Sequence, residues 1–141
     1  MALEIVRVQP EDAQTFFHAN EREAYSTAYG FPVIWHEQRH AFFAQQDGEL
    51  AGAAQIYIAA SLAHVEKIAV LPQFRRRGMG RALLEQAADV ANYYNCHKMT
   101  AMALHNGSAQ AFFEACGYKI EAVLRQHTFK LDIAVLRKFL L

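Results

Sequence analysis

Cysteine, proline and net charge are all scarce in this chain, and each scarcity removes a class of protein. The two cysteines among 141 residues, Cys96 and Cys116, stand far apart and inside or beside regular elements. That pattern gives no disulfide framework, and both read as reduced, packed thiols. Three prolines and seven glycines leave no linker or low-complexity tract, and no internal repeat is present. Fourteen basic residues balance fourteen acidic ones, so no overall field draws the chain to nucleic acid or to an anionic membrane. No apolar run approaches the length of a membrane span, and Glu4 and Arg7 interrupt the first residues too early for a signal peptide. The expectation is a soluble, cytoplasmic protein with no nucleic-acid and no membrane partner.

Apolar material is plentiful, at 53% of residues, enough to fill the core of one domain spanning residues 1–141. Leu3 to Val8 alternates as a first strand. Pro10-Glu11-Asp12 opens a helix reaching into the twenties, with Ala13, Phe16 and Phe17 inward. From Tyr25 to Trp35, Gly30 and Pro32 break the periodicity, predicting a loop or a pair of short helical pieces. Asp47-Gly48 supplies the positive φ angles of a tight hairpin between strands at 41–46 and 49–59. A strand at 97–104, a short helix at 108–116 with Asn106 as its N-cap, and closing strands at 118–124 and 128–136 complete the reading. Strands in a meander and then alternating with helices indicate a mixed α/β sheet flanked by helices.

The densest signal lies between Ala63 and Ala91. Val65, Ile68, Ala69, Val70 and Leu71 form an apolar, largely β-branched run closed by Pro72, while Leu83, Leu84, Ala87, Val90, Ala91 and Tyr94 recur at helical spacing. Between them, Arg75-Arg76-Arg77-Gly78-Met79-Gly80-Arg81 combines glycines with the free N–H groups of a helix start, an arrangement suited to a phosphate. No Gly-Lys-Ser/Thr follows, which excludes a Walker loop, and Leu83 stands where a dinucleotide fingerprint needs a third glycine.

This stretch resembles the acetyl-CoA motif of the GNAT superfamily of N-acetyltransferases, whose pattern Arg/Gln-x-x-Gly-x-Gly/Ala is met by Arg75, Gly78 and Gly80. A second segment, Asn106-x-x-Ala109-x-x-Phe112-Phe113-Glu114-x-x-Gly117-Tyr118, is similar to that family's helix and following strand. The resemblance implies a single domain with a mostly antiparallel sheet of about six or seven strands, splayed at the cofactor site and flanked by about four helices. It implies acetyl-CoA as cosubstrate, no metal, and an amine acceptor that attacks the thioester directly in a ternary complex. Main chain at Ile68, Ala69 and Val70 would bond the pantetheine arm. The N–H groups from Arg76 through Arg77, Gly78, Met79 and Gly80 to Arg81 would cup the pyrophosphate, with charge from Arg75, Arg76 and Arg81, and with Asn106 and Phe113 also beside the cofactor.

Transfer to an amine needs a base, since a free alkyl ammonium titrates near roughly 10. Glu66 and His64, on one strand face by period two, occupy positions from which the family draws one, and a β-bulge is usual in that strand. A backbone N–H near Val70 would stabilise the oxyanion. The family's acid is a tyrosine, and the alignment places Phe113 there; Tyr93, Tyr94, Tyr118 or water is left to protonate the thiolate. That departure supports a second reading, a CoA-binding regulatory or interaction module with little catalysis. The acceptor is expected over the segment from Tyr25 to His40, where Tyr25, Tyr29, Phe31 and Trp35 serve as lining, core or a homodimer contact. A third and more distant reading is a zinc metallopeptidase through His36-Glu37-Gln38-Arg39-His40, opposed by the strand-like run from Ala41 and by the missing third ligand.

Overall fold

The computed structural model describes residues 2–140 and divides into two compact units, Met1–Trp35 and His36–Leu141. The first unit is built on helix α1 (Pro10–Tyr29). Proline in its first turn and Glu11 and Asp12 beside it suit a helix start, and Gly30 ends it with φ 79° and an N–H donated to the Ser26 carbonyl at 2.9 Å. The helix runs unbroken to Tyr29, so the region after Tyr25 is not a pair of short helical pieces. Tyr25 packs edge-on to Trp35 with ring centroids 5.2 Å apart and stacks on Tyr29, while the Ser26 hydroxyl accepts the Val33 N–H.

Two expectations for this unit fail. Residues 2–9 form no strand, because alternation supplies a face but not the neighbouring backbone that makes a strand. No residue of α1 is buried. Phe16 and Phe17 are adjacent in sequence and so diverge around the helix, and they do not make an apolar stripe.

The second unit is one six-stranded sheet in the order β1-β2-β3-β4-β6-β5. The strands are β1 (Gln38–Gln46), β2 (Glu49–Ala59), β3 (Leu62–Val70), β4 (Lys98–Leu104), β5 (Lys119–Thr128) and β6 (Leu131–Phe139). All pairs are antiparallel except β3 with β4. A 3-10 turn (Pro72–Phe74) leads from β3 toward helix α2 (Met79–Tyr93), and helix α3 (Ser108–Ala115) joins β4 to β5. The described residues thus hold three α-helices and six strands, within the mixed α/β class expected but with one helix fewer. No helix among them is long and apolar enough to cross a membrane.

Both helices of this unit cover one face of the sheet. Leu84, Ala87 and Ala91 of α2 and Phe113 of α3 share a single buried cluster with Ile56, Val65, Met99, Ala101, Ala134 and Leu136. The hairpin turn at Asp47-Gly48 has φ 52° and 79° as its sequence demands. Two further hairpins use residues with no turn signature: Ala60-Ser61 (φ 53° and 61°) and Phe129-Lys130 (φ 52° and 65°). The second of these places the last turn later than the sequence suggests, so β5 and β6 both extend past their expected ends. Ser61 is clasped by His97, whose N–H donates to the Ser61 carbonyl at 3.0 Å and whose Nδ1 lies 2.9 Å from the hydroxyl.

Asn106 does not cap α3. It lies in the left-handed region with φ 62°, and Gly107 is the N-cap, without a side-chain cap bond. The helix start is instead secured from inside: the buried side chain of Gln110 reaches back, its Oε1 accepting the Asn106 N–H at 2.8 Å, and its amide donates to Glu114 at 2.8 Å.

Candidate active site

The centre of the site is a place where two strands separate. β3 and β4 pair only at Leu62 with Lys98, Ala63 with Met99 and His64 with Thr100, yet β3 continues to Val70 and β4 to Leu104. Past His64 the sheet is open between them. The Leu71 N–H is donated across to the Ala51 carbonyl at 2.8 Å, and peptide groups alternate sides along a strand. Ile68 and Val70 therefore turn their N–H and C=O groups toward the opening. Arg75 reaches Val70 from that side, its Nε donating to the Val70 carbonyl at 3.0 Å.

The turn after β3 closes the mouth of this opening. The N–H groups of Phe74 and Arg75 are used inside it, at Leu71 and Pro72. Those from Arg76 to Arg81 find no acceptor among the described residues, and Gly78 begins α2 without a side-chain cap. Arg76 and Gly78 both have left-handed backbone (φ 62° and 80°), which folds the strip into a concave path. A Cβ on Gly78 would meet nothing within 4 Å, so room for an anion lies against the free N–H groups. This backbone fits a pyrophosphate.

The arginines of the turn divide their work. Arg75 holds Val70. Arg77 donates to Gln46 Oε1 at 2.9 Å and lies over the Phe74 ring. Arg81 donates to the Ala115 carbonyl at 2.8 Å, capping the end of α3. Only Arg76 keeps a guanidinium without a protein partner among the described residues.

On the sheet face away from α2 and α3, His64 and Glu66 stand side by side. The register shifts so that Gln55 pairs with Lys67 and Ile56 with Val65, leaving Glu66 as the extra residue of a β-bulge. Its carboxylate accepts from Gln55 Nε2 at 3.0 Å and from Arg39 Nε at 3.1 Å, and these contacts hold it below its ordinary pKa. His64 is half-buried. Burial pushes its pKa below 6.5, against the pull of Glu66, so its imidazole is neutral at pH 7. Its Nδ1 lies 2.8 Å from the Thr100 hydroxyl, and its Nε2 has no hydrogen-bond partner among the described residues. Arg39 of β1, Tyr57 of β2, His64 of β3, Thr100 of β4 and Arg137 of β6 are successive cross-strand partners, one row across the sheet at the point where it opens. Arg39 lies 4.8 Å over the Tyr57 ring, and Tyr57 donates to Glu37 at 2.7 Å.

The tyrosines named from sequence as replacement acids are placed elsewhere. Tyr118 is buried against Phe113, its hydroxyl donates to Met99 Sδ at 3.6 Å, and burial raises its pKa far out of the working range. Tyr94 stacks on His40 over the helix-covered face, with Tyr93 beside it at the far end of α2 from the turn. Phe113 itself is 4% exposed and belongs to the core. Asn106 is exposed on the loop after β4, its side chain without a hydrogen-bond partner among the described residues. The zinc reading loses its geometry: Gln38 to His40 is the start of β1, so His36 and His40 are not one helical turn apart, and His40 Nε2 lies 2.9 Å from Gln38 Oε1. Among the described residues no group of three or more histidines, cysteines or carboxylates is gathered for a metal. The sequence reading missed Thr100, Gln55 and Arg39, whose roles come only from strand register.

A mixed sheet that opens between two parallel strands, with a phosphate-suited turn at the opening, is the architecture of the acetyltransferases with which this chain compares. The chain belongs to the Acetyltransferase (GNAT) family, whose model matches residues 6–118 and whose members use acetyl-CoA. It is 33% identical over 82 residues to an uncharacterized N-acetyltransferase of Chlorobaculum tepidum, a match covering 57% of this chain and half the length of that relative. It is 27% identical over 135 residues to the [ribosomal protein bS18]-alanine N-acetyltransferase of Escherichia coli, covering 89% of this chain and 86% of the other. Among solved structures, an acetyltransferase of Bacillus subtilis in complex with CoA superposes with a TM-score of 0.68 at 17% identity, covering 98% of this chain and 97% of that one.

Proposed function

We propose that this protein is a one-domain N-acetyltransferase that moves the acetyl group of acetyl-CoA to a primary amine by direct attack in a ternary complex. The observation that carries the reading is the end of the β3–β4 ladder at His64 and Thr100, which frees backbone at Ile68 and Val70 beside a turn of unpaired N–H groups. Pantetheine amides would pair with Ile68 and Val70, displacing Arg75 from the Val70 carbonyl, and the pyrophosphate would lie against Arg76 to Arg81.

His64 is the base in this reading, ahead of Glu66. An imidazole that is neutral at pH 7, with Nε2 unbonded, can take the acceptor's proton as its nitrogen attacks the carbonyl carbon. Glu66 is committed to Gln55 and Arg39 and is a weaker base for its lowered pKa. Its charge supports the imidazolium that forms. The Ile68 N–H, directed into the opening and nearer to His64 along β3 than that of Val70, would stabilise the oxyanion; the C–S bond then breaks and the thiolate leaves. Because a thiol titrates near roughly 8.5, water can protonate the thiolate, and Phe113 need not be a tyrosine. The acceptor is a primary amine, and the bS18-alanine acetyltransferase among its relatives makes a protein N-terminus one class to include in a panel.

The second reading, a CoA-binding module with little catalysis, draws on the buried Phe113 and on the engagement of the Tyr57 and Tyr118 hydroxyls with Glu37 and Met99. CoA release measured against a panel of amines, small and peptidic, separates the two. Amine-dependent release with acetylated product supports the enzyme. Tight acetyl-CoA binding with no amine accelerating release supports the module.

A further inference from the structure

The last rung shared by β3 and β4 joins His64 to Thr100 both in register and through their side chains, with Nδ1 and Oγ1 2.8 Å apart. We infer that Thr100 is a positioning residue for the base: its hydroxyl oxygen accepts the Nδ1–H of His64 and so fixes the imidazole in the tautomer whose Nε2 carries the lone pair. This rests on the reading of His64 as the group that takes the acceptor's proton.

Thr100 is suited to the task by its place. It pairs with His64 on one side and with Arg137 on the other, so its backbone is held between two strands, and its β-branched side chain has few rotamers to choose from. The other groups facing the ring are engaged elsewhere. Tyr57, opposite His64 on β2, donates its hydroxyl to Glu37. Glu66, on the same strand, accepts from Gln55 and Arg39. Arg137, beyond Thr100 on β6, lies over the Phe139 ring at 4.7 Å. None of these bonds to His64, so the partner at Nδ1 alone decides which nitrogen carries the proton. Were the hydroxyl to donate instead, Nε2 would hold a hydrogen and could not accept one. The same bond crosses the point where the strands part, so it also keeps the base at the apex of the opening.

The test uses nitrogen-15 NMR of the histidine rings in the full-length protein, with the His64 signals assigned from His64→Gln, beside pH profiles of kcat/KM. Wild type is expected to show His64 with Nδ1 protonated and Nε2 bare. Thr100→Val, nearly equal in shape, is expected to lose that signature and to lower kcat/KM by about tenfold, part of the roughly 10²–10⁴-fold that a positioned base supplies. Thr100→Ser should restore both. A wild-type ring protonated at Nε2, or a tautomer unchanged in Thr100→Val, overturns the inference. If His64→Gln keeps the wild-type rate and profile, the base assignment itself fails; the NMR arm then still reports whether Thr100 sets the ring.

Discussion

Gly80 and Phe112 leave no space between them: a Cβ on Gly80 would stand 2.9 Å from two carbons of the Phe112 ring. The second glycine of the turn is thus a packing residue, bringing the first turn of α2 against α3. Gly80→Ala forces the ring to move and is expected to cost about 1–3 kcal/mol, the usual range for overpacking. Urea unfolding of the two proteins checks this, and a midpoint unchanged from wild type would contradict it.

The arginine cluster predicts a division that charge counting alone would miss. Arg81→Ala, which uncaps the Ala115 carbonyl, is expected to lower stability by about 1 kcal/mol. Arg76→Ala removes no hydrogen bond or ion pair among the described residues and is expected to leave the melting temperature in place. It should weaken acetyl-CoA about tenfold and reduce the salt dependence of binding, since a charge-assisted contact is worth about 1.5–3 kcal/mol at most. Equal losses of affinity in both variants, with equal melting temperatures, would refute the assignment.

The pH dependence follows from His64 and Glu66. With its pKa below 6.5 in the fold, His64 binds fewer protons than in the unfolded chain as the pH drops beneath 6.5, so its neutral form adds stability above that value that is lost on acidification. Activity as kcat/KM for acetyl-CoA, at saturating acceptor, should rise through an apparent pKa lower than 6.5 and then level. Glu66→Gln removes a carboxylate that favours the imidazolium, so this limb should move to still lower pH. A limb that stays put in Glu66→Gln and persists in His64→Gln would remove both from the proton path.

Core placement of the aromatic pair predicts two silent changes in rate. Tyr118→Phe deletes a hydroxyl whose one hydrogen bond among the described residues is to Met99 Sδ, and kcat is expected to stay at the wild-type value. Phe113→Tyr puts a hydroxyl into the core and should cost about 1–3 kcal/mol without raising kcat. A large rise in kcat would mean that the position does serve as an acid.

Local chemistry decided how far the sequence could be read. Asp47-Gly48, the Leu83-to-Ala91 stripe and the strip of free N–H groups around Gly78 are marked by local signals, glycines that admit positive φ and apolar residues at helical spacing, and they stand where the sequence places them. Ala60-Ser61 and Phe129-Lys130 make equally tight turns from residues that carry no such signal; for Ser61 the support is His97, 36 residues away. Leu3 to Val8 shows the converse, a strand pattern with no strand. The site divides in the same way. The turn was legible because its backbone conformation follows from its glycines and the helix start, whereas Thr100, Gln55 and Arg39 acquire their places from register, and the bulge at Glu66 shifts that register by one residue.

Gly78 bears on the central claim, that the turn opening α2 is the pyrophosphate seat of an acetyl-CoA site. Its left-handed backbone favours glycine, but the space around its Cβ direction is empty, so a larger residue there costs the fold only about 1–2 kcal/mol while filling the seat. Calorimetric titration with acetyl-CoA of wild type and Gly78→Leu, each checked for its melting transition, is the direct measurement; leucine is bulky but not β-branched, so it tolerates the left-handed backbone better than valine. Wild type is expected to bind one-to-one, and a still folded Gly78→Leu to lose that binding. Unaltered affinity in that variant would contradict the pyrophosphate seat.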